Sequence, residues 1–233
     1  MDYHIFKSMV NGCYAPYVGY EKRPTFFDIN ETYPELNRVT ECFPEIREEL
    51  EDLLQSETRL PRYHDVDAGE AKISNTTANN WNVCMLEILG HRVDVNRQRF
   101  PRTCAAVARV PNVIQAFFSI LDPGKSIPAH EGPYLGYLRY HLALRVPEHN
   151  PPCIVVNHQP YTWKLGEAVL FDDSHLHEVI NHSNGVRCVL IIDVLRPMPM
   201  LPTMLNRATT LIARHTYGRK VANEVQKFAK KAA

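Results

Sequence analysis

SILDPGKSIPAHEGPYLGYLRYHLALRV, residues 119–146, is followed after a proline-broken loop by WKLGEAVLFDDSHLHEVINHSNGVRCVLIIDVLRP, residues 163–197. Both stretches consist of short β-type runs separated by Pro, Gly and Asn, and this pattern extends from residue 114 to residue 194. Many short strands with such turns are typical of a jelly roll. The sequence therefore predicts a mainly β fold with a jelly-roll core.

Helices are predicted on the N-terminal side of this core. Apolar residues at steps of three and four run from residue 34 to residue 55. Pro44 is expected to open the second part of that helix, because the first helical turn does not use its N–H. Residues 1–30 mix aromatics with Gly and Pro and predict an irregular arm, whereas the polar residues 56–80 predict a loop. The run WNVCMLEILG that follows predicts a strand, and residues 100–112 a short helix.

The C-terminal tail is basic and has near-helical periodicity. Between residues 207 and 231, seven Lys or Arg residues stand against the single acid Glu224. The apolar residues of the tail are Leu205, Leu211, Ile212, Val221, Val225 and Phe228. Such a helix either docks on the protein with its lysines in solvent or lies on an anionic membrane surface.

Length and composition are those of a globular protein with a full core. The chain has 233 residues, with 26 basic and 26 acidic residues and a net charge of zero. We predict one domain over residues 1–233, with a helical N-terminal part (1–80), a jelly-roll core (81–198) and a basic helical tail (199–233). No run of about eighteen apolar residues occurs. The start, MDYHIFKSMVNGCY, lacks a signal-peptide pattern, so a cytoplasmic protein is expected, with membrane association through the tail as the alternative.

Other residue patterns bear on chemistry and partners. The six cysteines show no CxxC spacing, which favours free, reduced thiols. Basic residues do not cluster with interleaved aromatics, so nucleic-acid binding is not expected.

Histidines near the two core stretches are candidate metal ligands. His130 follows a Pro-Gly turn and, taken alone, is better interpreted as a surface-loop histidine. His175 and His177 lie two residues apart and would share a face of an extended strand, so spacing cannot choose between them. Asp172 and Asp173 either cap a turn or supply a carboxylate to a metal. Imidazole suits Fe(II) among other metals.

Arginines on the core strands are candidate anion ligands. Arg139 and His141 lie on one face of an alternating strand, and the position just after His130 favours a functional cavity over solvent. Arg187 lies on an otherwise apolar strand, where an arginine is costly unless an anion meets it. A salt bridge to Asp193 or Glu178 is one explanation. The other is a clamp on a dicarboxylic acid beside a metal, which indicates an iron- and 2-oxoglutarate-dependent oxygenase.

Several motifs resemble a known family. Residues 124–130 match GX5H in part, and residues 166–181 match GX5DXSX2HX3N, which selects His177 over His175. PGKSIPAHEGP, LRYHLAL, W-x2-GEAVLFDDSxxHEV and R-x5-DVxRP resemble the aspartyl/asparaginyl β-hydroxylases, whose bacterial branch includes lipid A hydroxylases. The resemblance covers residues 81–198. It implies a double-stranded β-helix, Fe(II), 2-oxoglutarate and O2, with His130 and His177 as iron ligands.

The resemblance also implies a cosubstrate site. Arg187 matches the arginine that pairs with the distal carboxylate of 2-oxoglutarate. Ser119, Arg139 and His141 match positions that assist its binding, and Trp81 matches an aromatic residue near that pocket. No catalytic residue beyond these metal and cosubstrate ligands is implied.

One position departs from the usual oxygenase pattern. A third ligand, a carboxylate, commonly follows the first histidine by two residues, and here that residue is Gly132. At this place lipid A hydroxylases usually look like His-x-Asp. This chain has His-x-Gly, in which it resembles the animal aspartyl hydroxylases. Glu131 is predicted to point away from His130. We expect Gly132→Asp to keep metal binding, because it would recreate the usual carboxylate.

The function predicted from these residues is hydroxylation of an unactivated carbon. The substrate would be an aspartyl- or asparaginyl-type amino acid, free or carrier-bound, or an acyl chain. Two other functions fit a jelly roll: a cupin-type metalloenzyme without 2-oxoglutarate, which would not need Arg187, and a non-catalytic binding protein.

Overall fold

Two antiparallel sheets form the core of the protein. The computed structural model describes residues 3–232, so the ends of the predicted range 1–233 lie outside the described part. The strands are β1 (Phe26–Phe27), β2 (Trp81–Ile88), β3 (His91–Arg92), β4 (Val113–Leu121), β5 (Ile127–His130), β6 (Tyr137–Arg145), β7 (Cys153–Val156), β8 (Gln159–Thr162), β9 (Ala168–Phe171), β10 (His177–Ile180) and β11 (Arg187–Leu195). The large sheet has the order β1-β9-β6-β11-β4-β2-β3, and the small sheet has the order β5-β10-β7-β8. This arrangement confirms the predicted cupin-like jelly roll.

Along the chain, α-helices come before, between and after the strands. They are α1 (Tyr3–Val18), α2 (Ile29–Thr32), α3 (Asn37–Glu41), α4 (Phe43–Gln55), α5 (Tyr63–Val66), α6 (Ala71–Ser74), α7 (Asp94–Arg97), α8 (Pro101–Val107), α9 (Met200–Ala213) and α10 (Arg219–Ala232). In the described part of the chain, no helix is both long and apolar enough to cross a lipid bilayer.

Helix α4 shows why the apolar spacing predicts a helix here. Ile46, Leu50 and Leu53 are buried on one side of it, and Pro44 lies in its first turn as expected. Burying side chains of this size contributes roughly 1.5–3 kcal/mol each. The buried carboxylate of Glu49 accepts hydrogen bonds from the main-chain N–H groups at the start of α8. It therefore fixes α8 against α4.

Two sequence-based expectations were wrong. Residues 1–30 do not form an irregular arm, because α1 occupies much of that range and buries Tyr14. Residues 56–80 are not a plain loop, because α5 and α6 lie within them. Both helices are only four residues long, too short for a hydrophobic period to show.

The C-terminal tail is helical, as predicted, but it does not form one continuous amphipathic face. A single π-helical turn, Arg214–Gly218, separates α9 from α10. A Cβ atom at Gly218 would lie 2.8 Å from the Cβ atom of Leu89, so only glycine permits this close approach. Val221 and Val225 of α10 are buried in the core that includes β2, whereas the apolar residues of α9 remain exposed.

Candidate active site

Two histidines lie side by side on neighbouring strands of the small sheet. His130, at the end of β5, is in register with His177, at the start of β10, and their ring centroids are 4.1 Å apart. The Nδ1 atom of His130 lies 2.8 Å from the carbonyl oxygen of Pro128, and that of His177 lies 2.8 Å from the carbonyl oxygen of His175. Because a carbonyl only accepts, each Nδ1 carries the hydrogen and each Nε2 keeps its lone pair. This is the tautomer that a metal ligand needs.

The electrostatics of His130 favour neutral imidazole. Burial, and then the neighbouring His177, lower the pKa of His130 to about 4. His130 is therefore uncharged near neutral pH, as metal binding through Nε2 requires.

A carboxylate lies beside the pair. Oδ1 of Asp173 is 3.3 Å from Nε2 of His177 and accepts a hydrogen bond of 2.7 Å from Nη1 of Arg139. The hydroxyl of Tyr137 donates to Oδ2 of Asp173. Burial alone would raise the pKa of Asp173, but Arg139 and His177 outweigh it and lower that pKa. Asp173 is thus held as an anion next to the histidines.

Two imidazoles with an adjacent carboxylate have the donor chemistry of a divalent metal site. Within residues 3–232, however, no group of three or more His, Cys, Asp or Glu side chains is arranged to hold a metal ion. The residues present therefore fit a two-histidine site in which other ligands complete the coordination.

Gly132 lies directly against Asp173. A Cβ atom at residue 132 would overlap Oδ2 of Asp173, and it would come within 2.6 Å of the Tyr137 hydroxyl and 2.8 Å of the Asp173 main-chain oxygen. Gly132→Asp would therefore have to displace neighbouring atoms, and the expectation that it keeps metal binding stays a prediction. The space for a carboxylate at residue 132 is already occupied by the carboxylate of Asp173.

Arg187 is buried, and no carboxylate among residues 3–232 pairs with it. It is 1 % exposed, its Nη1 donates to the carbonyl oxygen of Ser119 at 3.4 Å and to its hydroxyl at 3.3 Å, and its Nε has no partner. The guanidinium carbon lies 4.6 Å from the centroid of the Trp163 ring. Burial lowers the pKa of Arg187 to about 10. Asp193 pairs instead with Arg139, through two hydrogen bonds of 2.8 Å, so the predicted alternative of an Arg187–Asp193 bridge is wrong.

Further donors surround Arg187. The indole N–H of Trp81 donates to the Ser119 hydroxyl at 3.0 Å. Because Ser119 Oγ also accepts from Arg187, its own hydrogen is left to donate elsewhere. His141 is 4 % exposed with both ring nitrogens unpartnered, and the indole N–H of Trp163, 5.9 Å away between ring centroids, is unpartnered as well. Buried polar atoms of this kind are rare unless a ligand or water meets them.

Sequence reasoning placed some residues in this site and missed others. Arg139 is brought to the site, but its guanidinium is engaged by Asp173 and Asp193. Trp163 was not predicted, although it begins one of the motifs. Tyr137 was not predicted either, although alternation along β6 puts it on the face of Arg139. Extending that alternation backward by one step would have found Tyr137.

The two neighbouring acidic residues have different surroundings. Asp172 accepts from the main-chain N–H of Ser174 at 3.0 Å and forms ion pairs with Arg23 and Arg196, so it is the turn cap. His175 lies in the same turn before β10, where burial, and then Arg23, lower its pKa.

The fold and these contacts define a cupin-like jelly roll with a candidate metal centre and a buried arginine, Arg187, that pairs with no carboxylate of the described residues. A model of the family described as aspartyl/asparaginyl beta-hydroxylase matches residues 40–197. The chain belongs to this family, as the sequence motifs predicted. The interpretation of the chain as a hydroxylase is thereby confirmed.

Individual relatives differ in how much of their length is matched. The chain is 37% identical, over 82% of its own length and 67% of the relative's, to the ornithine lipid ester-linked acyl 2-hydroxylase of Rhizobium tropici. It is 31% identical to human aspartyl/asparaginyl beta-hydroxylase, over 51% of its own length and 16% of the human protein's. The chain thus spans only a small part of that animal relative. Among solved structures, a predicted oxalate decarboxylase of Thermotoga maritima aligns with a TM-score of 0.36 and 17% identity, over 60% of this chain and 94% of that one.

Proposed function

We propose that the protein is an Fe(II)- and 2-oxoglutarate-dependent hydroxylase, with His130 and His177 as the iron ligands. Support comes from the two rings, which lie in register on neighbouring strands with each Nδ1 against a main-chain carbonyl oxygen, so that Nε2 is the nitrogen that would bind a metal. Asp173 is proposed to provide negative charge beside the metal from outside the ligand pair, where Tyr137 and Arg139 hold it. The bound iron, cosubstrate and O2 supply the oxidising chemistry, and the protein supplies placement and a dry pocket.

The observation that carries the cosubstrate proposal is the burial of Arg187 without a carboxylate. An ionised side chain that is 1 % exposed is costly unless an anion meets it. We propose that the distal carboxylate of 2-oxoglutarate is that anion, received by Arg187 and by the free hydroxyl hydrogen of Ser119. Trp81 holds Ser119, and Trp163 lies under the guanidinium.

The other end of the cosubstrate would lie toward the histidines. His141 lies in a T-shaped contact with Phe171, which in turn contacts His177, so it stands between the two parts of the site. Its unpartnered nitrogens are available to the cosubstrate. Arg139 assists indirectly in this arrangement, because it keeps Asp173 ionised and in place. A cupin-type enzyme without 2-oxoglutarate gives no reason for the buried Arg187.

For the substrate we propose an acyl chain of an amino-acid-containing lipid. The support is the relative named as an ornithine lipid acyl 2-hydroxylase, which matches 82% of this chain. The aspartyl or asparaginyl substrate predicted as an alternative is supported by a match to 51% of the chain. A lipid substrate also requires contact with a membrane surface, which was the alternative left open for the basic tail.

The test is turnover by the purified protein. It would be loaded anaerobically with Fe(II) and 2-oxoglutarate, mixed with ornithine lipid in detergent, and exposed to air. We expect succinate and a lipid carrying one additional oxygen atom, both detected by mass spectrometry. His177→Ala should abolish Fe(II) binding, whereas His175→Ala, the matched control, should retain it. Cosubstrate-independent product, or loss of iron from the His175 variant alone, would contradict the proposal.

A further inference from the structure

Helix α9 is oriented with its polar side inward. Its buried residues are Pro202, Asn206 and Thr209. Its exposed apolar residues, here called the α9 outward face, are Met200, Leu201, Met204, Leu205, Leu211 and Ile212. They recur at the spacing of one helical face, and Ala208 between them is also exposed. Isolated exposed apolar residues are ordinary, but a continuous face of them marks an interaction surface.

Specific hydrogen bonds hold the helix in this orientation. The side-chain amide of Asn206 donates to the carbonyl oxygen of Gly136 at 2.6 Å. Thr209 shares a hydrogen bond of 3.1 Å with the buried hydroxyl of Tyr14 in α1. Rotating α9 to bury its apolar side would break both bonds and expose their partners. The outward face is therefore a fixed feature of the fold.

The charged residues of α9 and of the turn that follows it are all basic, although Glu35 lines the same cavity as Arg207. From residue 198 to residue 223 the chain contains no Asp or Glu. Arg207 and Arg214 are exposed, and helical periodicity puts both at the same edge of the outward face. Arg219 and Lys220, at the start of α10, are also exposed. A second copy of this helix offers no acid to pair with these arginines, whereas anionic lipid headgroups do.

The inner side of α9 contacts the segment that leads into β6. Gly136, which Asn206 holds, lies in the short segment between His130 and β6. Tyr217, in the π-helical turn after α9, donates a hydrogen bond to Asp67. These two contacts hold α9 and the turn that follows it against the rest of the fold.

We propose that the α9 outward face docks on an anionic lipid membrane, with its apolar residues among the acyl chains and Arg207 and Arg214 at the headgroups. This inference assigns the membrane contact to α9, and not to the more basic α10, whose apolar residues Val221 and Val225 are used in the core. It rests on the proposed function only for the choice of a lipid as the occupant.

The experiment measures binding of the full chain to vesicles, without iron or cosubstrate. Vesicles of equal parts phosphatidylcholine and phosphatidylglycerol would be compared with vesicles of phosphatidylcholine alone, by co-sedimentation. We expect binding to the anionic vesicles that weakens with salt. Leu211→Glu should lower the partition coefficient about tenfold or more, since burying a leucine is worth roughly 1.5–3 kcal/mol and 1.4 kcal/mol is a factor of ten. Arg207→Gln should lower it less and reduce the salt dependence.

Leu165→Glu is the matched control, because Leu165 is 47% exposed against 55% for Leu211 and the change in charge is the same. It should bind like the parent protein. Equal binding by the Leu211 variant, or no binding by the parent, would overturn the proposal. So would sedimentation velocity showing a dimer that Leu211→Glu dissociates, which would make a second copy the occupant. Vesicle binding without lipid hydroxylation would refute the proposed function and leave the docking surface intact.

Discussion

Arg187 offers the most direct test of the proposed 2-oxoglutarate site. Its only described polar contacts are with Ser119, at 3.3 and 3.4 Å, long for hydrogen bonds. The lowered pKa of about 10, against 12.5, corresponds to a penalty of roughly 3 kcal/mol on the charged form at 1.4 kcal/mol per pKa unit. The cation–π contact with Trp163 returns about 2 kcal/mol when desolvated. Without an anion, the arginine therefore contributes little or negative net stability.

Substitutions of Arg187 should therefore change the affinity for 2-oxoglutarate and the stability of the fold differently. Arg187→Lys keeps a charge but loses the two-pronged geometry, so one charge-assisted hydrogen bond of about 1.5–3 kcal/mol is lost. The dissociation constant of 2-oxoglutarate should rise about ten- to a hundredfold, and further in Arg187→Met. The melting temperature of Arg187→Met without cosubstrate should be unchanged or slightly raised.

The assay is calorimetric titration of 2-oxoglutarate into protein loaded with a redox-inert divalent metal, with melting temperatures measured on the same samples. Arg145→Lys is the matched control, since Arg145 is exposed at the end of β6 and pairs with Glu51. It should leave the 2-oxoglutarate constant unchanged. If the Arg187 variants bound the cosubstrate normally but melted several degrees lower, the arginine would be a brace for β11 and the anion-pocket argument would fail.

Three further predictions concern acidic residues and the glycine at the site. Asp173→Asn should weaken Fe(II) binding about ten- to a hundredfold, because it removes a carboxylate that supports the metal ligand His177; anaerobic titration measures the affinity. The control, Asp172→Asn, should lower the melting temperature without weakening Fe(II) binding. Gly132→Ala should destabilise the protein by about 1–3 kcal/mol, measured by denaturant unfolding, because its Cβ would overlap Asp173; a variant as stable as the parent would show that this contact is loose. Burial, and then Asp67, raise the pKa of Glu70 from 4.5 to about 7. Between these two pH values the folded state holds a proton on Glu70 that the unfolded state lacks, so the free energy of unfolding falls as the pH rises. The gain in melting temperature from Glu70→Gln should therefore be larger at about pH 8 than at about pH 5, and a pH-independent gain would contradict the assignment.

Local periodicity predicted the parts of the fold in which apolar residues face the core. The steps of three and four along α4 bury Ile46 and Leu50, and the short runs after residue 114 became the jelly-roll strands. The same reasoning fails for α9, because there the polar residues Asn206 and Thr209 face inward. Their hydrogen bonds go to Gly136 and to α1, far away in sequence, so no local pattern could have shown which side is buried.

The candidate site shows the same division between local and long-range information. Motif spacing distinguished His177 from His175, and alternation put Arg139 and His141 on one face. The role of Gly132 could not be inferred from its place in the sequence after His130. Its role depends on the side chain of Asp173, which fills the space beside it. Asp173 enters that space from the turn after β9 and is held there by Tyr137 and Arg139 of β6. A side chain at residue 132 and the carboxylate of Asp173 exclude each other. Although no carboxylate stands two residues after His130, a negative charge still lies beside the histidine pair, because Asp173 supplies it from the turn after β9.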